Sequence, residues 1–587
     1  MPGLMNGQRE SASSGVPPWG IFPAGVSSLI KDIPIIVAGL AVFYGLLSFA
    51  RYGVGAINTR PEILLRPGVL PRYAVLSLAR IALAYVLSLG LALAYGYAAA
   101  NSARAERLMI PLLDTLQSIP VLSFLPGVMV SMVALFPTRQ LGVELGCIVL
   151  IVTGQLWNMA FSFYSSLKSI PREMREAAAI YHWSWWQRLV QMELPFAAIG
   201  LVWNSMMSVA GAWFFLMACE MFVLKDRDFR LPGLGSYLQT AANAGDTRAI
   251  VWGVAVMMAV IVLVDQIVWR PTIAWAEKFK FEQVEAAETP RSTVLELLRR
   301  SKIIRLAGRV SVGPAREALS LYFARAEAAP RPRGVGRNLV KWAWRAVLLA
   351  ALLGVTYAAV GASALLSALS RPELREIVWG AGATFLRVEA TLVLAGLWTI
   401  PVGVWVGLRP KLSAIAQPIA QIAASVPATA LFPIVLLVLI RIGGGLGIGS
   451  MLLLLLGTQW YILFNVIAGA SALPTDLKEV CGVFHLGKVE RWRKLFLPGI
   501  FPYLITGFIT ASGGAWNASI VAEYFHFRGQ TFSTTGLGAV ISGATDAGNF
   551  RLLLGATVFM AAMVVTVNRL LWRRLYALAS TRFKLES

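Results

Sequence analysis

The second half of this 587-residue chain repeats the first in register, and a chain built that way folds as two copies of one unit. Pro111, Pro120 and Pro126 recur 307 positions on as Pro418, Pro427 and Pro433, and Arg80 recurs as Arg387. After a gap of four residues the shift is 303. Gly154, Trp157, Pro171, Glu176, His182, Arg188 and Pro195 then recur as Gly457, Trp460, Pro474, Glu479, His485, Arg491 and Pro498. The same shift links Ala212-Trp213 with Ala515-Trp516, Glu220 with Glu523, Gly233-Leu234-Gly235 with Gly536-Leu537-Gly538, and Gly245 with Gly548. Chance does not hold one register over so long a stretch.

The repeated unit is apolar. Hydrophobic residues make up 57% of the chain and charged residues 14%, with a mean hydropathy of +0.67, against about 45–50% and about 25% in soluble domains. A membrane helix needs roughly 20 apolar residues. Twelve such stretches are found, near 33–50, 73–100, 108–135, 141–166, 197–223 and 249–269, then from about 342, 379, 415, 448, 499 and 551. The expected fold is an all-α polytopic membrane protein of about twelve transmembrane helices, arranged as two six-helix repeats (33–269 and 341–571). Six spans separate equivalent positions, and six is even, so the repeats run parallel about a pseudo-two-fold axis along the membrane normal. Residues 1–32 and 572–587 flank them, and the start of the chain reads as a signal anchor rather than a cleaved leader. The joining stretch 270–340 is basic: sixteen Lys/Arg against seven Asp/Glu lie between Arg270 and Arg345. The positive-inside rule places it and both termini in the cytoplasm, although Arg51, Arg60, Arg66 and Arg72, after the first span, argue the other way. Within it, LELLRRSKIIRLAGRV has the apolar and basic spacing of a solvated or interfacial helix.

Several function classes fall away. The formal charge of +22 belongs with cytoplasmic loops and anionic membrane lipids, not nucleic acid. Cys147, Cys219 and Cys481 form no paired framework and no zinc spacing. With three histidines, His526 in a loop expected outside, no intramembrane metal site is indicated. No His or Lys stands at span depth as the base for a serine nucleophile. No GxxxxGK[ST] is present to cradle nucleotide phosphates. No catalytic residue, metal or cofactor is called for.

Between the fourth and fifth spans of each half lies a polar stretch, SIPREMREAAAIYHWSWWQRLVQMELP (169–195) and ALPTDLKEVCGVFHLGKVERWRKLFLP (472–498). Pro171 and Pro474 suit a first helical turn, Glu176 or Glu479 and the alanines suit its body, and Pro195 or Pro498 is expected to open the next span. These residues resemble the Glu-Ala-Ala loop of integral-membrane permeases of binding-protein-dependent ABC importers. Glu176-Ala177-Ala178 and Leu194-Pro195 fit the pattern. The second half keeps Glu479 and Leu497-Pro498 but has Val480-Cys481 for the alanines, and His182 and His485 occupy the place of the family's glycine. As metal ligands those histidines lack accompanying Cys or carboxylates; packing in the turn is the preferred reading. The resemblance, about 180 residues per half, is to the duplicated permeases of nitrate, sulfonate and taurine-type anion importers. It implies a transport subunit of a bacterial or archaeal inner membrane, with two copies of a cytoplasmic ABC ATPase docked on the loops, an extracytoplasmic solute-binding protein and a small anionic solute. The rival is an ion-coupled secondary carrier of twelve spans, which has no need of two such loops. A scaffold or receptor without transport would not need paired polar spans.

Polar residues at span depth are the candidates for the pathway. Gln117 and Ser118, with Ser425 in the second half, flank prolines that break their spans, a feature tolerated where a helix lines a cavity. Gln155 and Asn158, with Gln459 and Asn465, mark the fourth and tenth spans. Asn204 and Ser205, with Thr510 and Asn517, mark the fifth and eleventh. Helix-packing contacts are the plainer reading of each singly; together they suggest a polar seam between halves. Arg80 and Arg387 are too deep to stand uncompensated. Pairing with Glu220 and Glu523, or of Arg387 with Glu389, is the first reading; attraction of an anion at the interface between halves is the second, and lipid contact the third.

Overall fold

In the computed structural model residue 55 and residues 62–224, 227–279, 293–301, 306, 309–310, 313–328, 335–441, 445–473, 477, 479, 481, 483–527 and 530–582 are described. The expected first span, 33–50, lies outside them.

The first half runs α1 (Leu70–Asn101), α2 (Ala103–Ser118), α3 (Leu125–Leu135), α4 (Leu141–Ser169), α5 (Arg172–Ile180), α6 (Trp185–Glu220), a hairpin of β1 (Val223–Leu224) and β2 (Arg227–Asp228), α7 (Leu234–Ala244) and α8 (Thr247–Phe279). Two linker helices follow, α9 (Thr293–Arg300) and α10 (Gly313–Ala328). The second half runs α11 (Val335–Ser367), α12 (Arg371–Gly407), α13 (Pro410–Ser425), α14 (Ala428–Arg441), α15 (Leu446–Ser471), α16 (Lys488–Ala522), a hairpin of β3 (Tyr524–Phe527) and β4 (Gln530–Ser533), α17 (Leu537–Ala547) and α18 (Phe550–Ala579). Local chemistry sets these ends. Ser370 and Glu373 form a reciprocal capping box at the start of α12. Asp246 accepts from the amides of Arg248 and Ala249 to start α8. Gly245 and Gly548, at φ 67° and 65°, end α7 and α17 in the left-handed conformation that glycine adopts without strain.

Eight of the described helices are long and apolar enough to cross a membrane: α1, α4, α6 and α8, with α12, α15, α16 and α18. That is four per half rather than six. The expected third span is two helices, 103–117 and 121–135, bent by 84°, because Pro120 supplies no amide and pushes the residue before it into extended backbone. The second half breaks in the same place, α13 ending at Ser425 and α14 beginning at Ala428 around Pro427. The seventh span is represented by α11, whose apolar stretch Leu352–Ser367 is shorter than a full crossing. Pro195 and Pro498 do not open the fifth and eleventh spans. Those helices begin ten residues earlier, at Trp185 and Lys488, and pass through π-helical turns at Leu189–Glu193 and Trp492–Phe496 just before each proline. A wider turn accommodates a ring that cannot donate to the preceding carbonyls.

Within each half α1, α4 and α6, or α12, α15 and α16, pack side by side. Gly96 lies against Phe163 and the Ala160 carbonyl, and its repeat Gly403 against Val466 and the Leu463 carbonyl, close approaches of the kind that hold membrane helices together. The halves meet where α6 touches α13 and α14, and where α7 lies on β3 and α17 on β1. Hydrogen bonds between described residues cross the join: the Leu122 amide to Asn517 Oδ1 (3.4 Å), Thr557 Oγ1 to the Ser123 carbonyl (3.1 Å), Gln239 Nε2 to the His526 carbonyl (3.1 Å) and Gln421 Nε2 to Met206 Sδ (2.8 Å).

Candidate functional site

At one end of the molecule each half carries a loop between two of its long helices. In the first, Pro171 is the extended N-cap of α5 rather than its first helical residue. Glu176 and Ala177 are exposed, while Ala178 is buried and anchors the helix to the bundle. The helix ends as a Schellman turn: the Trp183 amide donates to the Ala178 carbonyl (3.0 Å) around His182, whose φ is 49°. In the second loop the Leu486 amide donates to the Cys481 carbonyl (3.1 Å) around His485, at φ 47°. Among the described residues these two histidines are the only non-glycine residues with positive φ, so the turn that glycine makes in the resembled family is made here by histidine. Ser184 and Gln187 then cap the next helix reciprocally. Each loop also presents an apolar pair immediately before the turn, Ile180-Tyr181 and Val483-Phe484, each residue more than 70% exposed. Glu479 is exposed like Glu176.

The linker reaches the first loop. Phe323 on α10 lies 5.0 Å from the ring of Trp185 and 5.2 Å from that of Trp186, at the start of α6.

Above the first loop a cavity of about 310 Å³ opens between α2, α4 and α6. It gathers Gln117, Asn158 and Asn204 with a serine row on α4, Ser162, Ser165, Ser166 and Ser169. The other candidates lie elsewhere. Gln155 is buried in the first half, taking a hydrogen bond from Ser88 (3.1 Å), and Ser205 is buried against Met159 Sδ (3.4 Å). Gln459 is buried. Asn465 and Thr510 bond to carbonyls of their own helices, as Asn204 also does, and Asn517 reaches across to the first half. Ser118 and Ser425 end the helices ahead of the two breaks.

The opposite end is closed around two buried carboxylates. Glu220 accepts from Arg80 Nη1 (2.7 Å), Ser77 Oγ (2.6 Å) and the Gly235 amide (2.7 Å). Glu523 accepts from Arg387 Nη1, Thr384 Oγ1 (2.8 Å) and the Gly538 amide (2.8 Å). A Cβ at Gly233 or Gly536 would collide with the respective carboxylate, which is why both repeats keep glycine there. Glu389 takes no part. Beside this region Tyr524 donates to Asp546 Oδ2 (2.8 Å), which also lies 2.9 Å from His526 Nε2. Burial, and then the Asp546 carboxylate, push the Tyr524 hydroxyl above the usual tyrosine range.

The family model for the binding-protein-dependent transport system inner membrane component matches residues 87–268 and again 399–584. The chain belongs to that family. Each match lies in one half of the chain and contains its surface loop. Relatives of this inner membrane component include the bicarbonate transport system permease protein CmpB of Synechococcus elongatus, 29% identical over 147 residues, which are 25% of this chain and 51% of that protein. The nitrate import permease protein NrtB of Leptolyngbya laminosa is 24% identical over 194 residues, 33% of this chain and 66% of the relative. A putative aliphatic sulfonates transport permease protein, SsuC of Bacillus subtilis, is 24% identical over 230 residues, 39% and 78%. The matched region thus spans about half the length of the bicarbonate relative.

Three features of this transport component had no signal in the sequence pattern that was read. Glu144 holds Arg80 from α4 but has no counterpart in the repeat, where Gly447 stands. The exposed pairs Ile180-Tyr181 and Val483-Phe484 look in sequence like any buried apolar positions. The serine row of α4 recurs in the second half as Asn465 followed by Ala468, Gly469 and Ala472.

Proposed function

We propose that this chain is the complete membrane permease of an ABC importer for a small anion. Its two repeats, 33–269 and 341–571, enclose the pathway, the basic linker and both termini lie in the cytoplasm, two copies of an ABC ATPase dock on the two loops, and a solute-binding protein delivers the anion at the opposite face. One observation carries the reading: an exposed glutamate followed six residues later by the same left-handed histidine turn stands at equivalent positions in both halves. A carrier driven by an ion gradient has no use for such a pair. The relatives are named for bicarbonate, nitrate and sulfonate, which supports an oxyanion as solute. Gln117, Asn158 and Asn204, around the polar cavity near the first loop, are the proposed pathway residues that the fold brings together; Arg80, saturated by protein partners, is assigned a structural role.

Rocking of the halves by ATP-driven closure of the two ATPases would open the path alternately to each side. Reconstitution of the chain with its ATPase and binding protein in liposomes, with labelled nitrate or bicarbonate outside, tests this. Uptake should require ATP inside. Glu176→Lys together with Glu479→Lys should abolish it while the chain stays in the membrane, and a double variant that transports normally and still co-purifies with the ATPase contradicts the docking role.

A further inference from the structure

The two buried arginines are equivalent by the repeat but are not equally satisfied. The Arg80 guanidinium is fully buried and used on both edges. Nη1 donates to Glu220 and to the Pro232 carbonyl (2.9 Å). Nε and Nη2 donate as a fork to the two oxygens of Glu144, at 2.7 and 2.6 Å. In the second half Arg387 keeps the first of these edges. Its Nη1 donates to Glu523, and Nη2 reaches the Thr535 carbonyl (3.0 Å), the repeat of Pro232.

The other edge has lost its carboxylate. The position equivalent to Glu144 is Gly447, on α15, in a stretch where Gly142 and Gly146 align with Gly445 and Gly449. Among the described residues a Cβ built at Gly447 meets only Thr534 Oγ1, at 3.8 Å, and that hydroxyl is also 3.4 Å from Arg387 Nη2. The room beside Gly447 and the arginine's fork therefore converge on one hydroxyl, which the first half replaces with Leu231. Among the described residues Arg387 Nε has no hydrogen-bond partner, and the Arg387 side chain is 11% exposed where Arg80 is closed off entirely. A cation with one counter-charge, an Nε–H without a partner among the described residues, an Nη2 held only by a hydroxyl and a carbonyl, and access to solvent is an incompletely filled salt bridge whose filled version is in the same molecule.

We infer that Arg387, Thr534 and the space beside Gly447 form an oxyanion site at the mouth opposite the ATPase-docking loops, taking a small planar anion with two adjacent oxygens, such as nitrate, bicarbonate or a carboxylate, where Glu144 places its carboxylate in the other half. The site rests on the reading of the chain as an anion permease and gives that reading a point of entry on the second half only. Glu144 serves as the built-in occupant of the first.

Thermal unfolding of the full-length chain in detergent, titrated with sodium nitrate against sodium chloride at constant ionic strength, reads the site directly, because a ligand of the folded state raises the transition temperature. Nitrate should stabilise the parental protein more than chloride does. Gly447→Glu, which supplies the missing carboxylate, should unfold at a higher temperature without nitrate and should raise the half-saturating nitrate concentration by at least about tenfold, as expected for loss of one bidentate charge-assisted contact. Arg387→Lys keeps the charge opposite Glu523 but removes the fork, and gives the same loss of response even if Gly447→Glu does not fold. Equal nitrate responses in the parent and Arg387→Lys overturn the site. Uptake by the assembled transporter is measured alongside. Nitrate import combined with equal responses removes the site and leaves the transport reading, whereas a lost response in the variants with no import of any anion keeps the site and removes the transport reading.

Discussion

His182 and His485 hold a backbone conformation that costs an L-residue roughly 1–2 kcal/mol relative to the right-handed form, and they do so at equivalent points on two exposed loops. The turn is fixed on both sides: Ala178 is buried ahead of it, and Ser184 starts a capped helix after it. The backbone path thus forces the φ, and the imidazole is carried outward. Replacing either histidine with glycine should leave thermal stability in detergent within about 1 kcal/mol of the parent, since relief of strain and greater unfolded-state entropy offset each other. His182→Val or His485→Val should lower it by about 1–2 kcal/mol, because a β-branched side chain tolerates the left-handed region worse. Equal stability of the glycine and valine variants would show that the turn relaxes without cost. Sequence located both turns through their repeat, but not their conformation; only the hydrogen bonds across them reveal it.

Among the elements, the surface loops were the most legible. Proline punctuation, the alanine-rich body and the glutamate mark the short helix Arg172–Ile180 of the first loop, and the repeat carries its closing turn over to His485 in the second. What could not be read was how they join the spans. A 3.6-residue pattern is blind to a π-helical turn, so Pro195 and Pro498 looked like beginnings when they lie inside helices that start at Trp185 and Lys488. Nor does hydropathy separate an apolar residue facing lipid from one held out at a loop tip. Ile180, Tyr181, Val483 and Phe484 are such tips, and leaving them in water gives up the favourable burial that each side chain could obtain. A groove in the proposed ATPase would recover it. Tyr181→Ser with Phe484→Ser should therefore reduce ATPase co-purification and uptake by at least about tenfold, the equivalent of one modest apolar contact, with membrane levels unchanged. Retained co-purification would place the contact elsewhere on the loops.

For the whole molecule, the repeat carried most of the information: a shift of 307 and then 303 residues implied two parallel bundles, and the eight intact spans divide four and four between them. The expectation of twelve counted apolar stretches without regard to continuity. Pro120 and Pro427 interrupt two of them, and another, 33–50, lies outside the described residues. The repeat also hid what differs between the halves. Glu144 against Gly447 and Leu231 against Thr534 break the register at single positions, and only proximity to Arg80 and Arg387 gives those differences meaning. The same asymmetry sets the serine row that lines the polar cavity of one half apart from Asn465, Ala468, Gly469 and Ala472 at the equivalent positions of the other. In the proposed assembly the two fused halves stand in for two separate permease subunits, leaving one docking loop for each of two ATPases. Native mass spectrometry of the complex extracted in mild detergent tests it most directly. One copy of this 63.6 kDa chain with two ATPase subunits is the predicted composition; two copies of the chain in one complex would contradict it.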